Sequence, residues 1–337
     1  MKLTQLIPFV ALAAAASNSH SSSPTPLTNS TVFAPPSDYN IPRTLYARNE
    51  QLFNGDLLAT WENYSPEPPL VYFPIYRSKD FGKTWSELSK VHDTVNGFGL
   101  RYQPFLYYLP EAVGSFKAGT LLLAGNSIPE DLSTTHLDLY ASHDDGVTWK
   151  FVSHIAAGGE AVPDNGLTPV WEPFLLAHAY PTYTDRPGMP TVAKLPNGQY
   201  IYFYEYGSFF DTATYSFPLY YRLSSNPEDF ASSEGVPLIA SSGTVPTSSP
   251  YVVWTKYGGK NGTIIASSGT QSTIFINQAL GEGEWTEITS PESASYTRSL
   301  RILSEGNGRY LAINGGGVLG GISNTVSVSV VDLKKVL

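Results

Sequence analysis

An eight-residue turn pattern, Ser-x-Asp-x-Gly-x-Thr-Trp, occurs at residues 78–85 and again, 64 positions later, at residues 142–149. In the first copy, Ser78 and Asp80 carry side chains that hydrogen-bond to the backbone of their own turn, and Gly82 can adopt a positive φ. Trp85 supplies an aromatic ring that packs beneath the turn. The pattern therefore predicts a tight turn between antiparallel strands, repeated in two structural units.

A second repeat consists of a glycine turn followed by an apolar strand. The five turn glycines are Gly55, Gly119, Gly198, Gly262 and Gly308. The first two are also 64 residues apart, so whole units repeat and not single turns. These units predict an all-β fold, a β-propeller with four-stranded blades around a central channel. The eight-residue pattern is the Asp box, and it resembles that of the sialidase-type propellers, where its role is structural.

Length and composition favour one propeller domain in an exported chain of 337 residues. We predict a signal peptide at residues 1–16, because Lys2 precedes an apolar stretch too short for an ordinary membrane span. Residues 17–38 are rich in Ser, Pro, Thr and Asn and are predicted to be a disordered lead-in to the propeller at residues 39–337. The mature protein is expected to be secreted and extracellular.

Charge and residue usage restrict the partners. A net charge of −9 argues against nucleic acid, and the absence of cysteine excludes disulfides and a thiol nucleophile. Asn29, Asn63 and Asn261 fit the acceptor pattern for N-glycosylation. The histidines show no metal-ligand spacing and no glycine-rich phosphate loop is present, so neither a metal nor a cofactor is predicted. We expect a monomer without membrane contact.

The glycine repeat also predicts where a site lies. The residues seven positions after each turn glycine are Glu62, Asn126, Glu205, Gly269 and Gly315. All are polar or small and follow an apolar strand, as expected at the mouth of a central pocket. The alternative is that these positions begin solvated loops.

Glu172 is a third carboxylate, from a different part of the repeat. Residues 172–175 (EPFL) align with residues 103–106 (QPFL), so Glu172 stands where the preceding unit has Gln103. Glu172 and Glu205 both lie among apolar and aromatic residues, where an unpartnered charge would cost several kcal/mol. Such a pair in an aromatic-rich cleft suits glycosidic bond cleavage. The alternative is that buried arginines satisfy both carboxylates.

The chain resembles the fungal exo-α-1,5-L-arabinanases of glycoside hydrolase family 93 over roughly residues 40–335. Members of that family are six-bladed propellers. The matching strings are at residues 61–66 (WENYSP), 100–104 (LRYQP), 165–173 (NGLTPVWEP), 184–189 (TDRPGM), 204–207 (YEYG) and 296–300 (YTRSL). The resemblance implies release of arabinobiose from the non-reducing end of linear arabinan, with retention of configuration. The two catalytic glutamates of the family map onto Glu172 and Glu205.

We assign Glu172 as the nucleophile and Glu205 as the acid/base, because the neighbouring tyrosines should favour the neutral form of Glu205. Arginines near the starts of inner strands, together with residues of the matching strings, are predicted to bind the substrate. The full set is Arg43, Glu62, Arg101, Tyr102, Asn165, Asp185, Arg186, Tyr206, Tyr296 and Arg298.

One departure from the family pattern lies between the two glutamates. After residues 172–175 the chain makes neither a glycine turn nor an Asp box and runs through His178 directly into another inner strand. Five glycine-turn units are present where the resemblance implies six. We therefore predict that most of one blade is absent, which would alter the separation of Glu172 and Glu205 and lower both stability and activity.

Three functions fit this sequence. The leading one is a secreted exo-arabinanase. The runner-up is a sialidase, which shares the propeller and the Asp boxes and would place several arginines around the substrate carboxylate. The third is a non-catalytic glycan-binding propeller that lacks a blade.

Overall fold

Five four-stranded antiparallel sheets make up a computed structural model that describes residues 23–162, 168–175, 187–207, 217–230 and 232–337. Blade 1 contains β2 (Thr44–Gln51), β3 (Leu57–Asn63), β4 (Phe73–Ser78) and β5 (Ser86–Val91). Blade 2 contains β6 (Leu100–Tyr108), β7 (Leu121–Ser127), β8 (Thr135–Ser142) and β9 (Lys150–Gly158). Blade 3 contains β10 (Pro187–Lys194), β11 (Tyr200–Tyr206), β12 (Leu219–Ser224) and β13 (Val236–Pro237).

Blade 4 contains β14 (Tyr251–Thr255), β15 (Thr263–Ser267), β16 (Ile274–Asn277) and β17 (Thr286–Ile288). Blade 5 contains β18 (Ser299–Ile302), β19 (Tyr310–Gly315), β20 (Val326–Asp332) and, as its outer strand, β1 (Leu27–Phe33). Short 3-10 helices lie at Glu305–Gly308 and Leu333–Lys335. The prediction of an all-β propeller is confirmed. Within the described residues, no helix is both long and apolar enough to span a membrane.

Apolar clusters between neighbouring blades hold the ring together. Trp61 of blade 1 packs with Val328 of blade 5, and Trp285 beside blade 4 packs with Phe203 of blade 3. Both tryptophans are almost wholly buried. Because each blade buries its faces only against its neighbours, these clusters form only when the blades pack side by side.

The N-terminal strand closes the ring. β1 pairs antiparallel with β20, and the Phe33 ring stacks on Trp61 at a centroid distance of 5.0 Å. The prediction that residues 17–38 are disordered is therefore wrong for Leu27–Phe33. Outer-strand pairing uses backbone hydrogen bonds, which need no apolar alternation in the sequence. The predicted signal peptide lies outside the described residues and stays a prediction.

The two Asp boxes form the predicted turns at the ends of β4 and β8. The Ser78 hydroxyl oxygen accepts a hydrogen bond from the Gly82 N–H (2.8 Å), and Asp80 Oδ1 accepts one from the Thr84 N–H (2.9 Å). The Trp85 indole N–H donates to the Gly82 carbonyl oxygen (3.0 Å). The box at residues 142–149 repeats all three bonds.

A third turn of this kind, which the sequence pattern missed, follows β16. Asn277 Oδ1 accepts hydrogen bonds from the N–H groups of Ala279 (2.9 Å) and Gly281 (2.8 Å), and the buried Trp285 follows. Asn277 thus replaces the serine, and Ala279 stands at the aspartate position. The substituted residues explain why the pattern did not detect it.

Between blades 2 and 3 lies a segment, residues 168–175, without regular secondary structure. The Phe174 ring packs 4.6 Å from that of Phe105 on β6, and Leu175 packs against the cluster around Leu109 of blade 2. The segment thus lies where the inner strand of a further blade would run. Five blades in the described residues agree with the prediction that a sixth is mostly absent.

Candidate active site

Six inner segments, one from each blade and residues 168–175, surround a central cavity and share an unusual backbone feature. Each has a non-glycine residue with positive φ: Tyr46 (49°), Gln103 (59°), Glu172 (57°), Met189 (55°), Ser249 (50°) and Thr297 (61°). Five of these residues line the cavity, and the sixth, Ser249, precedes the lining residue Pro250. Left-handed backbone at such residues is costly and typical of functional sites. The predicted equivalence of Gln103 and Glu172 is confirmed.

The cavity is small, at about 20 Å³. That volume accommodates roughly one water molecule. Its polar lining includes Tyr46, Arg48, Gln103 and Glu172. In this conformation the centre of the propeller is therefore closely packed.

Glu172 is held in the cavity by groups from three different segments. Its Oε1 accepts a hydrogen bond from the Tyr46 hydroxyl (2.8 Å), and its Oε2 accepts one from the Met189 N–H (2.6 Å). Its own N–H donates to Gln103 Oε1 (2.7 Å). Donors to both carboxylate oxygens stabilise the anion and fix its orientation.

Glu205, near the end of β11, lies next to the same part of β10. Its Oε2 accepts a hydrogen bond from the Ser249 N–H (3.0 Å). A Cβ atom placed on Gly188 would lie only 2.9 Å from Glu205 Oε1, so the glycine permits this close approach. Because Glu172 binds Met189 and Glu205 contacts Gly188, the two carboxylates lie against consecutive residues of β10.

The tyrosines near Glu205 in sequence lie on the opposite face of β11. Tyr202 and Tyr204 belong to one apolar cluster, whereas Phe203 belongs to another on the other face. Side chains alternate along a strand, so Glu205 shares the face of Phe203. The expectation that Tyr202, Tyr204 and Tyr206 surround Glu205 is wrong for this reason. Tyr206, predicted to bind substrate, packs 5.2 Å from Tyr220 with the other tyrosines.

Tyr296 lies close to both candidate catalytic groups. Its ring makes an edge contact with Tyr46 at 5.2 Å. Burial raises the pKa of Tyr296 most, and the charges of Glu172 and Glu205 raise it further. The phenol therefore stays protonated near neutral pH and can donate a hydrogen bond within the site.

Glu62, like Glu205, follows a turn glycine by seven residues. The residue is only 2% exposed, and its carboxylate bonds to protein groups. Its Oε1 accepts a hydrogen bond from the Gln103 N–H (2.9 Å), and its Oε2 accepts one from the Tyr64 hydroxyl (2.8 Å). Glu205 accepts a hydrogen bond from the Ser249 N–H in the same way. The carboxylate seven residues after a turn glycine therefore positions the inner segment of the next blade. Glu62 thus positions Gln103, and its contact with substrate stays a prediction.

We expect a Glu62→Gln substitution to flatten the pH dependence of stability. Burial raises the pKa of Glu62 from 4.5 to about 7, while Tyr64, Gln103 and Arg48 oppose the shift. The neutral carboxyl therefore favours the folded state below pH 4.5, and this contribution is lost as the pH rises through 7. The shift corresponds to a loss on the order of 3 kcal/mol across that interval.

Urea unfolding at several pH values measures this difference. The free energy of unfolding should fall less between acid and neutral pH in Glu62→Gln than in the parent chain. Glu87→Gln, on exposed β5, is the matched control and should keep the parent slope. An unchanged slope in Glu62→Gln would show that Glu62 does not titrate in this range.

The three predicted arginines among the described residues have structural partners. Arg298 is fully buried, and its guanidinium group donates to five backbone carbonyl oxygens, those of Ser268, Gln271, Ser272, Thr273 and Glu292. The prediction that Arg298 binds substrate is therefore wrong, because its guanidinium group is enclosed by backbone. Arg101 forms an ion pair with Glu67 (2.7 Å), and Arg43 donates weakly to the Ser37 carbonyl oxygen (3.4 Å).

Arg48 is the arginine that lines the cavity in the described part of the chain, and sequence reasoning missed it. Its guanidinium carbon lies 5.2 Å from the Tyr46 ring centroid and 5.7 Å from that of Tyr251. Burial lowers the pKa of Arg48, while the charges of Glu172 and Glu62 oppose this shift. No sequence signal marked it, because Tyr46 has a positive φ and the pairing of β2 shifts register between Leu45 and Arg48.

The remaining predicted residues divide into two groups. The Tyr102 ring lies 6.1 Å from Tyr64 and 6.4 Å from Trp171, beside the site. Three predicted substrate-binding residues lie outside the described residues: Asn165, Asp185 and Arg186.

Comparison with known proteins places this geometry in a family. No protein-family model and no curated protein sequence matches the chain. An α-L-arabinanase from Penicillium chrysogenum, solved with arabinobiose, is 68% identical over 93% of this chain and 100% of its own, with a TM-score of 0.90.

A family 93 α-L-arabinofuranosidase from Fusarium graminearum, also solved with arabinobiose, is 49% identical over 92% of this chain and 99% of its own, with a TM-score of 0.88. The NanB sialidase from Streptococcus pneumoniae is 10% identical over 93% of this chain and 72% of its own, with a TM-score of 0.57. The sialidase likeness shows the propeller fold alone. On the two closer similarities, the chain belongs to glycoside hydrolase family 93.

Proposed function

We propose that this protein is a secreted glycoside hydrolase that releases arabinobiose from the non-reducing end of linear α-1,5-arabinan. The observation that carries the proposal is the pair of carboxylates, Glu172 and Glu205, against consecutive residues of β10. Two family members solved with arabinobiose support the substrate class.

In the proposed mechanism, a Glu172 oxygen attacks the anomeric carbon while Glu205 gives its proton to the departing glycosidic oxygen. Water then attacks the glycosyl-enzyme, Glu205 takes a proton from that water, and Glu172 is released. Two inversions leave the anomeric configuration retained. The two donors to the Glu172 carboxylate support its role as the anion, and the contact of Glu205 with Gly188 brings the proton donor near.

A sialidase is disfavoured by the arginines. A sialidase is expected to place several guanidinium groups around the single carboxylate of its substrate. Arg298 is held by backbone carbonyl oxygens and Arg101 by Glu67. Arg48 is the cavity arginine within the described residues.

Binding without turnover is the second candidate, and the five blades of the described residues, where the family pattern implies six, favour it. Ligand pockets usually measure about 300–1,000 Å³, far more than the roughly 20 Å³ found at the centre of this propeller. Side chains around the cavity therefore have to move when a sugar enters, whether it is only bound or also hydrolysed.

Incubation of the purified chain with linear arabinan and, separately, with a sialoside tests these functions. We expect arabinobiose as the first product by chromatography and no free sialic acid, with a Glu172→Gln, Glu205→Gln double variant as the inactive control. Release of sialic acid would instead support a sialidase. Calorimetric binding of arabino-oligosaccharides without any product would support the non-catalytic function.

A further inference from the structure

Three side chains able to bind a metal ion meet on the outer strands of blade 2. His136 and Asp138 lie on β8 and His154 lies on β9, and their ligand atoms are all within 4.8 Å of one another. None of the three is among the described residues that line the central cavity. The cluster is therefore separate from the candidate catalytic site.

Strand geometry creates this cluster. His136 and Asp138 are two residues apart on one strand and so project from the same face. His154 pairs directly with Asp138 on the neighbouring strand. The sequence shows no metal-ligand spacing because the third residue comes 16 positions after Asp138, and only strand pairing brings it close.

We propose that His136, Asp138 and His154 bind a divalent transition-metal ion, for which Zn²⁺ is the probe. Two imidazoles and one carboxylate match the ligand types of three-residue zinc sites, in which water takes a fourth position. The His154 side chain is 53% exposed, which gives an ion and its water access from solvent.

The surroundings of Asp138 fit a ligand held in place for an ion. Asp138 is fully buried, and its Oδ1 lies 2.7 Å from His154 Nδ1. Its Oδ2 accepts a hydrogen bond from Asn96 Nδ2 (2.7 Å), which also donates to the Ser127 hydroxyl oxygen (3.0 Å). Asn96 and His154 already contact the two Asp138 oxygens, and a divalent ion between Asp138 and the imidazoles would add a positive charge beside this buried carboxylate.

The hydrogen bond from Asn96 to Asp138 is of a kind typical of metal sites, where a neighbouring group orients a ligand and tunes its affinity for the metal. Asn96 belongs to the connection between β5 and β6, so an ion would link the outer strands of blade 2 to the segment that leads to its inner strand. Metal binding should therefore stabilise blade 2, because an ion that binds only the folded chain shifts unfolding by mass action.

Zn²⁺ titration of the chain, freed of any affinity tag and stripped with a chelator, tests the proposal. Calorimetry should show one equivalent bound, the melting temperature should rise with Zn²⁺, and Co²⁺ should give the visible absorption of a four-coordinate site. His136→Ala and His154→Ala should lose binding. Asn96→Ala should bind about 10- to 100-fold more weakly.

His143→Ala is the matched control, because His143 is exposed in the turn after β8 and its ring bonds Thr120. It should bind Zn²⁺ as the parent does. Asp138→Asn keeps the side-chain volume and removes the anionic ligand, so it should fold and still lose binding. Equal Zn²⁺ binding by the parent and the folded Asp138→Asn chain, or no binding by the parent, would overturn the proposal and leave an Asp138–His154 ion pair.

Discussion

Replacing Glu205 by glutamine should lower arabinan hydrolysis by about 10²–10⁴-fold, and replacing Glu172 should lower it at least as much, while both leave the fold intact. Each substitution keeps the side-chain volume and removes one of the two roles that a retaining mechanism needs. Glu205 contacts Gly188, and Glu172 bonds the Met189 N–H. Each carboxylate therefore has its own fixed position, and neither can take the role of the other. Initial rates on linear arabinan and thermal melting measure the two effects.

An aryl arabinobioside with a good leaving group separates the roles. Such a leaving group needs little protonation, so Glu205→Gln should lose less activity on it than on arabinan. Glu172→Gln should lose activity on both substrates, because no glycosyl-enzyme forms. The opposite pattern would exchange the assignments of nucleophile and acid/base.

Glu62→Gln is the matched control for Glu205→Gln, because both residues occupy the same register and each accepts an N–H from the next inner strand. It should retain most of the turnover. Loss equal to that of Glu205→Gln would show that the catalytic pair is wrongly chosen, and near-parent rates in Glu172→Gln would refute the mechanism. The substitutions are best made both in the parent chain and in a chain extended by a homologous blade segment.

Insertion of a homologous blade segment between His178 and Tyr180 should raise both the melting temperature and the rate of hydrolysis. Residues 168–175 form no strand, although Phe174 and Leu175 pack on blade 2 as an inner strand would. Three further strands would cover this segment and bury apolar faces against both neighbours. A misplacement near 1 Å in a catalytic site costs about 10²-fold in rate, so a gain of that order is expected.

A Gly/Ser segment of equal length is the control, because it adds chain without adding strands. It should improve neither property. If the unmodified 337-residue chain is monomeric, melts cooperatively and hydrolyses arabinan at about 1–10³ s⁻¹, five blades suffice and the argument from the missing blade is wrong.

Local sequence patterns predicted the blades because the interactions involved are local. In the Asp box at residues 78–85, the side chain of Ser78 bonds a group four positions away. The turn after β16 does not match the pattern because Asn277 performs the serine role and Ala279 stands at the aspartate position. The alternation of side chains on β11 was also readable, and it would have placed the tyrosines on the face opposite Glu205.

The arginines and histidines could not be assigned in this way. Four of the five carbonyl oxygens that Arg298 meets are 25 to 30 residues earlier in the chain, so no local sequence pattern shows that its charge is enclosed by backbone. Arg48 lines the cavity because β2 is an inner strand, and the side chains of Tyr46 and Arg48 on it face the axis. Asp138 and His154 meet only through the pairing of β8 with β9.

The sequence by itself determined the strand and turn units, their number, and the two glutamates that the family resemblance implies, because turn chemistry and side-chain alternation act over a few residues. The tertiary structure alone decided which groups meet at the centre. The Glu172 carboxylate bonds Tyr46, 126 residues away, and Met189, 17 residues away. Glu205 bonds the N–H of Ser249, 44 residues away. Such contacts arise only when blades pack around one axis, because the donors and the carboxylates lie on different segments around that axis.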